Sequence, residues 1–206
     1  MSLNLHEIVA RGDVEVLKES IEDATDLLDC DAENRTVLDL AAILGRSECL
    51  SELIKLGAEV DRCTESGYTA LHRAALWGHL DCVRALVQGG ADITKKTRHN
   101  ERAQDSAARY CHDECVRYLN QIEAWNVLKA YVEELRSVLT DTERIAGKWG
   151  KDDKSKTTAA CNEKATWLDM NTEASSADVY KQMDLLKTFM QPIMAKLEPP
   201  DETKDN

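Results

Sequence analysis

The 206-residue chain lacks much of what a membrane protein, a nucleic-acid binder or an enzyme needs. No apolar run approaches the roughly 18 residues of a membrane span, and MSLNLHEIVARGD at residues 1–13 has no signal-peptide core, so a soluble chain is expected. No glycine-rich loop is present to cradle a phosphate, and no run of alternating strands can be traced. Basic charge is in deficit: 26 Lys+Arg stand against 38 Asp+Glu, a net charge of −12, which opposes general nucleic-acid binding because phosphate contact needs a basic face. The cysteines number seven, an odd count that argues for free thiols in a reducing compartment. The expected location is the cytoplasm. The nucleus, and concentration at a cytoskeletal structure such as a cilium or midbody, stay open.

What is present is a repeat. TALHRAALWGHLDCV at residues 69–83, shifted back by 33, lies on TVLDLAAILGRSECL at 36–50, and shifted forward it lies on RAQDSAARYCHDECV at 102–116. A degenerate copy starts near Leu3, with His6 in the place of His72 and Gly12 in the place of Gly78. Four units of one period mark a stack in which each unit buries its apolar face only against its neighbours. Within a unit, Thr69 can cap a first helix, Ala74 and Ala75 allow close approach of a second, and Gly78 ends the first. Leu80, Val83, Leu86 and Val87 give the second helix an apolar face, and Gly89 and Gly90 stop it. Residues 91–102 then read as an extended turn or hairpin.

TALHRAALWGH resembles the ankyrin-repeat signature Thr-Pro-Leu-His-x-Ala-Ala-x-x-Gly-His, with Ala70 in place of the proline, and LVQGGADI and LIKLGAEV match its ending. The resemblance covers about the first 120 residues and departs from the pattern in the first and last units. It implies an apolar slot for Cys49, Cys82 and Cys115, and loop-bracing hydrogen bonds for His72 and His79. It also implies a concave binding surface of hairpin tips and outward first-helix positions. By register these are Arg62, Glu65, Tyr68, Arg73, Trp77, Lys95, Arg98, Glu101, Arg109 and Tyr110. Leu44, Trp77 and Tyr110 share one repeat position, and large apolar side chains at an exposed position, beside arginine, have the make-up of an interface hot spot. The alternative is that Trp77 and Tyr110 pack over neighbouring helices. A metal site at Cys111, His112 and Cys115 would need converging thiolates that the register does not demand.

Charge is uneven along the stack: residues 1–61 hold 5 Lys/Arg against 15 Asp/Glu, residues 62–120 hold 9 against 7. Lys95, Lys96, Arg98 and Arg102 cluster at the third hairpin, where an acidic protein patch could dock; the alternative is a set of solvated loop charges.

From Asp113 to Ala146 there is neither glycine nor proline, and Tyr118, Ile122, Trp125, Leu128, Val132, Leu135 and Leu139 step by three and four, as in one long amphipathic helix or two nearly collinear ones. Two more helices are expected, at about 152–169 and 178–197, the second with a seam of Val179, Met183, Leu186, Met190, Ile193 and Leu197 and a bend at Pro192. Cys161 to Thr172, with its Trp-Leu-Asp-x-Asn-Thr, and Pro192-Ile193 resemble the landmarks of the helical lid of Hsp70 chaperones, and Tyr131 falls where that lid has a tyrosine. The resemblance spans about 131–197. No nucleotide-binding domain or peptide-gripping sandwich accompanies it, and PPDETKDN lacks the Glu-Glu-Val-Asp tail, so no ATPase cycle is expected.

The expected fold is all-α: an ankyrin solenoid over 1–121, a connecting helix and turn over 122–150, a lid-like bundle over 151–198 and a disordered tail over 199–206. The expected function is a non-catalytic scaffold or adaptor for protein partners, with the bundle as a second docking element open to self-association and no cofactor. The alternatives are a chaperone regulator acting through lid mimicry and a metal protein built on Cys111, His112 and Cys115. No nucleophile with a base and an orienting acid stands outside the repeat register, so no enzymatic role is assigned.

Overall fold

A computed structural model of the chain describes residues 4–21 and 27–197; the tail expected at 199–206 lies outside them. The described residues form helices joined by loops, with no strand longer than the isolated bridges Cys30–Thr36 and Cys63–Thr69. None of these helices is long and apolar enough to cross a membrane. The described residues divide into two compact units, one up to Leu119 and one from Asn120.

The first unit is four helix pairs in one register: α1 (Leu5–Arg11) with α2 (Val14–Ser20), α3 (Val37–Leu44) with α4 (Ser47–Lys55), α5 (Ala70–Leu76) with α6 (Leu80–Gln88), and α7 (Ala103–Arg109) with the start of α8 (Asp113–Thr140). First helices stack on first helices, α1 on α3 on α5 on α7, and second helices stack as α2 on α4 on α6. Ala41, Ala42, Ala74, Ala75 and Ala107 are buried between them, which sets how closely the layers approach. Cys49, Cys82 and Cys115 sit buried at one repeat position, behaving as small apolar side chains.

Each first helix starts on a cap. The Thr36 hydroxyl accepts from the Asp39 N–H, and the Asp39 carboxylate accepts from the Thr36 N–H at 3.0 Å. Thr69 and His72 repeat the exchange through the imidazole. In the last unit Arg102 replaces the threonine, and the return bond to Asp105 remains at 2.8 Å. The hairpins between units repeat as closely: Asp31, Thr64 and Thr97 donate N–H to the carbonyls of Arg35, Tyr68 and Glu101 at 2.9–3.0 Å. Each turns at a residue with positive φ, namely Asn34, Gly67 and Asn100.

In the second unit the rest of α8 is followed by α9 (Thr142–Ile145), α10 (Lys151–Met170), α11 (Ser176–Met194) and a 3-10 turn at Ala195–Leu197. Ala124, Leu128, Val132, Leu135 and Val138 of α8 meet Cys161 and Leu168 of α10 and Val179, Met183, Leu186, Met190 and Ile193 of α11 in one core. The stretch 122–150 therefore supplies core residues, Ile145 and Trp149 included. The Trp149 indole N–H donates to the Ile193 carbonyl at 3.0 Å, and Lys196 pairs with Asp153 at 2.7 Å. α11 continues through Pro192 to Met194 before tightening into the 3-10 turn.

Candidate protein-binding surface

The bonds that join one repeat to the next decide which side chains stay available. His79 Nε2 meets the Ile43 carbonyl at 3.0 Å, and one repeat later His112 Nε2 meets the Leu76 carbonyl at 3.0 Å. In the first junction Arg46 takes the same position and donates to the Ala10 carbonyl at 3.0 Å. Each ring lies over a positive-φ glycine: a Cβ on Gly45 would come within 2.7 Å of His79 Nδ1, and one on Gly78 would collide with His112. His72 and His6 reach forward instead, to the carbonyls of Glu101 and Arg35. The motif histidines are thus held in structural bonds. Burial pushes the His72 imidazole down to about 4, so the ring is neutral near pH 7.

The cationic positions expected to face a partner divide sharply. Arg62 donates to the Leu28 carbonyl at 3.1 Å and lies 3.2 Å from Cys30 Sγ. Lys95, one repeat later, donates to the Asp61 carbonyl at 2.8 Å. Arg73 is half-buried against Asp39 at 3.1 Å, and Arg109 is paired with Glu101. Arg62, Lys95 and Arg73 brace the stack across a repeat step, whereas the Arg109–Glu101 pair lies within the last unit and leaves Arg109 exposed. Arg98 is pinned through its backbone N–H to the Ser66 carbonyl at 3.0 Å, but its side chain is exposed, as are those of Glu65 and Lys96.

The shared position behaves differently. Leu44 is 40%, Trp77 56% and Tyr110 53% exposed, at or just past the C-terminal ends of α3, α5 and α7. Beside Trp77 lies a cleft of about 260 Å³ lined by Glu33, Thr64, Ser66, Tyr68, Arg73 and Leu76. Tyr68 stands edge-on to the His72 ring at 5.8 Å, which fixes one wall. Glu33, Thr64, Ser66 and Leu76 were not among the sequence-derived positions. The register offered a signal for two of them, since Glu33 and Ser66 occupy one hairpin position.

Cys111, His112 and Cys115 do not converge: Cys111 is exposed, Cys115 is buried, and the His112 ring is engaged with Leu76. Cys111 occupies the position of Gly78 with φ of 59°. Burial raises the thiols of Cys49, Cys82, Cys115 and Cys161, Cys82 to about 11, which keeps them protonated.

Residues 5–97 match, in three copies, the family described as ankyrin repeats. This stretch is an ankyrin-repeat array. Three curated proteins named ankyrin repeat domain-containing protein 45 are similar to part of this chain. The human protein is 37% identical over 87 residues, 42% of this chain and 33% of its own length. The Danio rerio protein is 34% identical over 80 residues, 39% of this chain and 36% of its own. The mouse protein is 36% identical over 83 residues, 40% and 34% respectively. The chain spans about a third of the length of these relatives. Ankyrin arrays are protein-interaction modules, and the fourth helix pair, α7 with the start of α8, extends this one beyond the matched residues.

Proposed function

We propose that the chain is a non-catalytic adaptor whose ankyrin array captures a protein partner across Leu44, Trp77 and Tyr110 and the adjoining cleft. The supporting observation is the contrast within the array: Arg62, Lys95 and Arg73 are engaged in bonds across repeat steps, while three large apolar side chains in register stay exposed. Large aromatic anchors flanked by polar groups carry most of the energy in protein interfaces. Glu65 and Arg98 at the hairpin tips supply the rim, and the seven cysteines, all free, fit a reducing cytoplasm. The helical bundle is a second docking element, including for self-association, and its Cys161, Trp167, Leu168 and Pro192 landmarks favour a lid-like role. Affinity capture with wild type beside Trp77→Ala and Tyr110→Ala tests the reading: partners should be lost from both variants. Unchanged capture would put the interface elsewhere.

A further inference from the structure

Among the described residues of the second unit, one side of α11 carries exposed apolar side chains. On α11, Leu185 is 53% and Phe189, the chain's single phenylalanine, 48% exposed, although Val179, Met183, Leu186, Met190 and Ile193 of the same helix are buried. Gln182, Leu185, Phe189, Pro192 and Lys196 follow a spacing of three and four along one side, with Asp178 a turn before them. Reversed about residue 187, this row complements itself: Leu185 falls opposite Phe189, Gln182 opposite Pro192 and Asp178 opposite Lys196. A two-fold contact has that property, because residue i must face j while j faces i. A parallel pairing would set Asp178 on Asp178 and Lys196 on Lys196. The antiparallel one brings Asp178 toward Lys196, which then stands between Asp178 of the second copy and Asp153 of its own chain.

We propose that α11 packs against α11 of a second copy of this chain, antiparallel about residue 187, with Leu185 and Phe189 at its centre and Asp178 and Lys196 paired at its ends. The inference rests on the reading of the bundle as a docking element and names its partner. Sedimentation equilibrium of the full chain tests it. With rising concentration the mass should climb from one 23.1 kDa chain toward two. Leu185→Asp with Phe189→Asp should hold it at one with helical circular dichroism unchanged, since neither side chain is buried. Asp178→Lys and Lys196→Asp should each weaken pairing at least tenfold alone and pair with each other when mixed. A wild type that stays single at every concentration, or a Leu185→Asp/Phe189→Asp variant that doubles as readily as wild type, overturns the proposal. If wild type stays single while that variant loses a captured partner, the bundle still docks another protein and only the self-pairing fails.

Discussion

Buried between the Thr69 cap and the Glu101 carbonyl, His72 links the array's stability to pH. Its folded pKa of about 4 lies below the ordinary 6.5, so the unfolded chain binds the extra proton first. The contribution is full above pH 6.5 and is lost as pH falls toward 4, by up to about 3 kcal/mol. Thermal unfolding over that window should show a falling Tm, with a shallower slope in His72→Asn. Asp31, Asp92 and Asp153, held below the usual carboxylate range, lose their contributions at lower pH. Glycine at the repeat junction is required for two reasons, φ and the overlying ring. Gly45→Ala should therefore cost about 2–3 kcal/mol in urea unfolding, against about 1 kcal/mol for Gly57→Ala, where a Cβ meets nothing within 4 Å. Cys111 stands where no further repeat follows to lay a ring over it, which explains how a non-glycine residue is tolerated there. A thiol reagent on native protein should label Cys63 and Cys111 quickly and Cys30 slowly, and reach Cys49, Cys82, Cys115 and Cys161 only after unfolding.

Among the elements, α8 differs most from its counterparts. The second helices α4 and α6 end before the positive-φ glycines Gly57 and Gly90; at the corresponding position the last unit has Glu123, and the helix runs on to Thr140. Trp149→Phe keeps the ring in its core but removes the indole donor to the Ile193 carbonyl, so it should cost about 1 kcal/mol in denaturant unfolding. The helix pairs, their caps and the α11 seam were legible in the sequence because each depends on residues within a turn or two, or on an identity 33 positions away. Partners of Arg62, Lys95 and Arg73 were not legible. Two of the acceptors are backbone carbonyls and the third is Asp39 in the position where a neighbouring repeat has histidine, so composition presented all three as available cations. Glu33 and Ser66 escaped for a related reason: they line the cleft only through the curl of a hairpin.

At the scale of the whole molecule, one period decides within the array which side chains are bonded, buried or left for a partner. The array's exposed aromatic positions repeat in step with its buried alanines, so substitutions in the first set should leave stability nearly unchanged and those in the second should lower it. Ala74→Leu, at a fully buried position between stacked helices, should unfold the stack by overpacking. The most direct test is the unfolding free energy of Trp77→Ala and Tyr110→Ala beside the core truncation Leu71→Ala. Leu71→Ala should lose about 2–5 kcal/mol, while the two aromatic variants should stay within about 1 kcal/mol of wild type. A loss of about 3 kcal/mol or more in both aromatic variants would make them packing residues and contradict the assignment of this surface to a partner.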